Sequence, residues 1–162
     1  VPEIIIIAHN IRSTHNIGAI FRTAEGFGVT KIILSGYSPY PHIPGDTRLP
    51  HIYEKLTSQI HKTALDAEMI VPFEYREVPP MASLKSEGYR IVGLEQEDRS
   101  INLADYTTPD KIALLIGEEV HGIEAELLAQ CQDVLEIPMV GKKESFNVSV
   151  ATGIALYALV TN

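Results

Sequence analysis

The chain has 162 residues, enough for one domain with a sizeable core. Its composition, 45% hydrophobic and 21% charged, is that of an ordinary globular domain, and no apolar run approaches membrane-spanning length. A net charge of −8 argues against a protein that coats nucleic acid, whose phosphates need many lysines and arginines, while leaving room for a local basic patch.

Strand and helix patterns alternate along the chain. Residues 3–8 read as a buried strand, and 16–27 as a helix with Ile17, Ile20, Phe21 and Ala24 on one face. Gly28 ends that helix and 31–34 forms the next strand. Residues 35–50 carry four prolines and two glycines and read as a loop. A helix over 52–67, a strand over 70–75, a short helix over 80–87 and a strand over 90–94 follow. Then come a strand at 112–116, a helix at 123–130, a strand at 134–137 and a last helix at 147–160. This rhythm predicts one α/β domain over residues 1–162, a mostly parallel sheet with helices on both faces. The last helix shows almost no polar face, which predicts burial on all sides, by its own core and by a partner. The single cysteine, Cys131, can form no internal disulfide; it reads as a small buried hydrophobe in a cytoplasmic protein.

In open α/β sheets, ligands bind beyond the carboxyl ends of strands. Three polar or glycine-rich segments sit there: 10–22, 117–122 and 138–147. In the first, Asn16 is placed to cap the helix, Gly18 allows close approach of another backbone, and Arg22 lies six residues further on. Arg22 is either a surface arginine paired with Glu25 or Asp46, or a group facing the site to grip phosphate or a developing oxyanion. Arg12 is a weaker phosphate candidate. In the second, Gly117 and Gly122 suit a tight loop, and Glu118 and Glu119 can accept hydrogen bonds or fix an arginine, or simply complement a helix N-terminus. In the third, Ser145 and Asn147 can cap the last helix, with Lys142 and Lys143 in solvent. Tyr37, Tyr40, His42, Arg48 and His51 crowd the long loop and could stack on single-stranded RNA, or merely furnish a proline-stiffened surface. No dinucleotide fingerprint, P-loop or zinc-type spacing is present.

Together and in order, these segments resemble the three motifs of the SpoU (TrmH-like) family of RNA ribose methyltransferases, in the SPOUT superfamily. The residues are Asn16-Ile-Gly-Ala-Ile-Phe-Arg22, Ile116-Gly-Glu-Glu-Val-His-Gly122, and Ile137-Pro-Met-Val-Gly141 with Ser145-Phe-Asn-Val-Ser-Val-Ala151. The resemblance implies methylation of a ribose 2′-hydroxyl of tRNA or rRNA with S-adenosylmethionine and no metal. It also implies a C-terminal trefoil knot and a homodimer through the last helix. By position it assigns catalysis to Arg22, Asn16, Glu119, Ser145 and Asn147. It assigns the methyl-donor pocket to Leu94, Gly117, Ile137, Met139, Ser145 and Phe146. Arg22 would act as base or, since a guanidinium stays protonated, by stabilising the alkoxide.

Two residues depart from the family pattern. Phe146 stands where leucine or methionine is usual, and Glu118 where a small or neutral residue is common. RNA selection is expected of the core itself, from the 35–50 loop and the dimer surface, and the net charge of −8 predicts weak RNA affinity or the need for a helper protein. The alternatives are a non-catalytic RNA-binding member of the fold and a small-molecule methyltransferase on the same scaffold.

Overall fold

The computed structural model describes residues 1–162. Its elements are β1 (Glu3–His9), α1 (Thr14–Gly26), β2 (Lys31–Ser35), α2 (Pro50–Ala64), β3 (Phe73–Arg76) and α3 (Met81–Ser86). They continue with β4 (Arg90–Leu94), β5 (Ile101–Asn102), β6 (Lys111–Ile116), α4 (Ala125–Leu128), β7 (Asp133–Glu136) and α5 (Val148–Thr161). The seven strands form one sheet in the order β3-β2-β1-β6-β4-β7-β5, and every pairing is parallel.

Alternation along β1 explains the layers. Ile4, Ile6 and Ala8 face a core shared with Ile17, Ile20 and Phe21 of α1, Ile60 of α2, and Leu156 and Leu159 of α5. Ile5 and Ile7 face the opposite core, with Met81 and Leu84 of α3 and Leu127 and Leu128 of α4. A strand covered by helices on both faces must be apolar throughout, which is why residues 4–8 carry no polar side chain. No helix is long and apolar enough to cross a membrane.

The sequence reading misses in three places. Helix α1 starts two residues early because Ser13 caps it, its Oγ accepting the Asn16 N–H at 3.1 Å, so Asn16 is not the cap. Helix α2 stops at Ala64, where Leu65 and Asp66 turn left-handed (φ 49° and 78°). Helix α4 is only four residues long, and β5 is too short to leave a periodic signal. Helix α5, within a single chain, is covered on one side only. Thr152, Ala155, Leu156 and Leu159 are buried, but Val150, Ile154 and Tyr157 are 51%, 38% and 62% exposed.

Candidate active site

A cleft of about 310 Å³ opens at the carboxyl ends of β4, β6 and β7. Its apolar floor includes Leu94, Ile116, Leu135 and Ile137, and Phe146 and Val148 close it from the start of α5. Between them run Gly117–Gly122 after β6 and Ser145 before α5. Gly117 has to be glycine, because a Cβ there would lie 2.7 Å from Ile123 Cγ1 and 2.8 Å from the Gly122 carbonyl oxygen. Gly122 takes φ 72°, which only glycine adopts without cost.

Five carboxylates line the cleft, those of Glu95, Glu118, Glu119, Glu136 and Glu144, with no lysine or arginine among the lining residues. Two of them shape the loop. Glu95 accepts the Ile123 N–H (3.0 Å) and the Gln96 N–H (3.1 Å). Glu118 accepts the N–H groups of His121 (2.6 Å) and Val120 (3.2 Å), and the His121 bond is the main reason its pKa is lowered. Glu118 therefore closes a turn and fixes no arginine.

The three polar segments meet at the rim. Asn147 Nδ2 donates to Asn16 Oδ1 (3.3 Å), and Asn16 Nδ2 donates to Glu119 Oε1 (3.2 Å). Asn147 Oδ1 meanwhile accepts from the N–H groups of Ser149 (2.9 Å) and Val150 (3.4 Å), capping α5. Residues 16, 119 and 147 thus form one hydrogen-bonded chain across three elements. Asn16 is buried, so pairing both ends of its amide offsets a desolvation cost of about 1–3 kcal/mol.

A profile of the SpoU rRNA Methylase family matches residues 46–157. The chain is also 33% identical over 157 residues to a tRNA (guanosine(18)-2'-O)-methyltransferase of Aquifex aeolicus, covering 96% of this chain and 67% of that one. The chain belongs to the SpoU methylase family. Other SpoU relatives include the 23S rRNA (guanosine-2'-O-)-methyltransferase RlmB of Pseudomonas putida, 28% identical over 98% of this chain and 59% of its own. The chain thus spans about two thirds or less of the length of these relatives. Among solved structures, the A. aeolicus TrmH/SpoU tRNA modifying enzyme superposes with a TM-score of 0.78 at 26% identity, over 98% of this chain and 74% of that one. The AdoMet-bound rRNA methyltransferase of Sinorhizobium meliloti shares the fold (TM-score 0.81, 22% identity, 97% and 55% coverage).

Within this SpoU fold the expected site residues separate into two groups. Leu94, Gly117, Glu119, Ile137, Ser145 and Phe146 line the cleft, and Asn16 and Asn147 tie its rim. Met139 and Arg22 line no part of it. Arg22 is exposed on α1 and forms neither hydrogen bond nor ion pair; Asp46, one partner considered for it, is held by Arg48 at 2.6 Å. The sequence reading missed Glu95, Glu136 and Glu144, which carry no motif; only their positions just beyond or between the motif residues could have flagged them. It also missed a gathering at the end of α2, where His61 Nδ1 lies 3.2 Å from buried Glu68 and 3.6 Å from Asp66.

Proposed function

We propose that the chain transfers a methyl group from S-adenosylmethionine to a ribose 2′-hydroxyl of tRNA or rRNA. The observation that carries this reading is the Asn147–Asn16–Glu119 chain, which joins all three family motifs at the rim of one cleft. The lining fits the donor. Its apolar floor offers faces for an adenine, the bare backbone at Gly117 permits edge contacts, and a lining with five carboxylates and no lysine or arginine suits a cation. When bound, the donor supplies an electrophilic methyl on a positively charged sulfur. Leu94, Gly117, Ile137, Ser145 and Phe146 would hold it, with Met139 beside them in the same loop. The relatives' names, which include both tRNA and 23S rRNA enzymes, support the acceptor class.

On this reading Arg22 hydrogen-bonds the hydroxyl and stabilises the oxyanion as its proton leaves to phosphate or water, since a guanidinium stays protonated in proteins. Glu119 and Asn147 hold Asn16, which anchors the first turn of the helix carrying Arg22. Arg22 stands about 9 Å of helix rise beyond Asn16, outside the cleft of its own chain. Its neighbour Thr23 lines a groove with Val150, Gly153, Ile154 and Tyr157, the exposed apolar face of α5. A homodimer docked through that face would cover the apolar stripe and put Arg22 at the subunit boundary. A trefoil knot in the C-terminal part of the chain and a cytoplasmic location belong to the same reading.

Calorimetric titration with S-adenosylmethionine tests the donor, and no binding at millimolar ligand removes every methyltransferase reading, leaving a non-catalytic RNA-binding protein. Mapping of ribose methylation in RNA from cells lacking the gene tests the acceptor: loss of one 2′-O-methyl nucleotide names it. Arg22→Ala and Arg22→Lys are expected to lower turnover by roughly 10²–10³-fold while donor affinity stays within twofold. Near-normal turnover in Arg22→Ala would show that the oxyanion is stabilised elsewhere.

A further inference from the structure

The loop between β2 and α2 holds four aromatic or basic side chains, Tyr37, Tyr40, His42 and Arg48, with His51 already inside α2, and the fold sorts them. Arg48 is engaged: it bonds Asp46 and the carbonyls of Tyr40 (2.9 Å) and Pro41 (3.1 Å), and lies 3.6 Å from the Tyr40 ring centroid. Tyr40 in turn stacks on Tyr75 at 4.3 Å, and His42 stacks on Tyr53 at 4.2 Å. Tyr37 differs. It is 51% exposed, packs on no other ring, and carries the Arg12 guanidinium 5.2 Å from its centroid. Arg12 is itself exposed and forms no ion pair.

The base beneath this pair is rigid. The Tyr37 N–H donates to Asn10 Oδ1 (3.0 Å), and Asn10 Nδ2 donates to Glu124 Oε1 (3.0 Å). The same Glu124 oxygen accepts from Nε2 of buried His9 (3.0 Å), whose Nδ1 meets Ser35 Oγ at 2.9 Å. Ser35 is wholly buried, so this serine–histidine–glutamate line offers no accessible nucleophile and serves as a brace. The Tyr75 hydroxyl donates to the Gly36 carbonyl (2.5 Å). Asn10 and Gly36 both sit in the left-handed region (φ 56° and 64°), and a Cβ on Gly36 would lie 1.9 Å from Asn10 Oδ1. Asparagine takes up left-handed backbone more readily than most residues, and here the bonds of its side chain to Tyr37 and Glu124 hold Asn10 in it. Glu124 is two residues beyond Gly122 in the cleft wall, so the brace sets Tyr37 and Arg12 relative to the cleft.

An outward aromatic ring beside an unpaired guanidinium on a rigid base is chemistry suited to unstacked nucleotides, whose bases stack on aromatic rings and whose phosphates pair with arginine. We propose that Tyr37 and Arg12 form a docking platform for a single-stranded RNA nucleotide flanking the methyl acceptor, with Glu124 as the residue that positions it through Asn10. The platform rests on the RNA-methyltransferase reading and adds to it a place where the acceptor strand is gripped.

The test uses total RNA from cells lacking the gene, with the parent chain and the variants Tyr37→Ala, Tyr37→Phe, Glu124→Ala and Glu124→Gln. Tyr37→Ala is expected to raise the RNA KM about tenfold, with kcat and S-adenosylmethionine affinity within twofold of the parent. Tyr37→Phe keeps the ring and stays within twofold. Glu124→Ala follows Tyr37→Ala, whereas Glu124→Gln, whose amide oxygen still accepts from Asn10, recovers most of the KM. Filter binding of the labelled RNA is measured in parallel and does not depend on turnover. Equal retention by the parent and Tyr37→Ala overturns the platform whether or not the parent methylates. A parent that retains RNA through Tyr37 but binds no S-adenosylmethionine keeps the platform and overturns the enzymatic reading instead.

Discussion

Asn16 and Cys131 mark the two ends of what single residues disclose in this chain. Cys131 needs only to be counted: one cysteine in an apolar setting reads as a core residue, and it is 4% exposed. Burial pushes its thiol up to about 11, so very little thiolate exists at pH 8. Ellman's reagent at pH 8 is therefore expected to leave the native protein unlabelled over an hour and to titrate one thiol in 6 M guanidinium; rapid labelling of native protein would mean that this region opens readily. Asn16 could not be read this way. Its type and position suit a helix cap, and Ser13, three residues earlier, suits one equally well. What decides between them is the presence of Glu119 and Asn147, more than a hundred residues away, which give the asparagine amide two partners that a cap would not use.

Elements were legible where their periodicity ran long. Strands β1 and β6 and helices α1 and α5 fall within two residues of their expected bounds, because burial on a known face leaves a repeating pattern. Helix α4 and strand β5 are too short to carry one. The exposed side of α5 was legible as composition but not as geometry, since an all-apolar helix does not say which of its faces the chain itself covers. The close approach inferred at Gly18 is realised where α1 crosses α2: a Cβ there would lie 2.3 Å from the Ile60 carbonyl oxygen and 2.0 Å from Thr63 Oγ1. Backbone cannot rotate away as a side chain can, so Gly18→Ala must separate the helices. A cost of about 2 kcal/mol is expected, read as a fall of roughly 4–8 °C in the thermal midpoint. An unchanged midpoint would show that α1 and α2 slide freely.

At the scale of the molecule, the acidity that seemed to argue against RNA is partly engaged in local pairs. The Arg48 guanidinium holds Asp46 well below the usual aspartate range. Arg90 does the same for Asp133, donating from Nη2 to Oδ1 at 2.9 Å across the ends of β4 and β7. A carboxyl with a depressed folded-state pKa contributes stability above its unfolded value, about 3.9, and loses it as pH falls through the folded value. Urea midpoints are therefore expected to hold from pH 7 to about pH 5 and to drop steeply below pH 4. Asp133→Asn should flatten that drop while lowering the pH 7 midpoint; an unaltered acid limb would assign the loss to other carboxyls. The sheet itself is built from distant partners, Glu3 beside Lys111 for example, so local order along the chain reveals strands but not their neighbours. The rim chain has the same non-local character, and its last member caps α5, which is seated by Ala155, Leu156 and Leu159. A ribosome making this protein must therefore release nearly every one of these residues before the cleft has a rim, and until then the nascent chain leaves it open on the side that Phe146 and Val148 close.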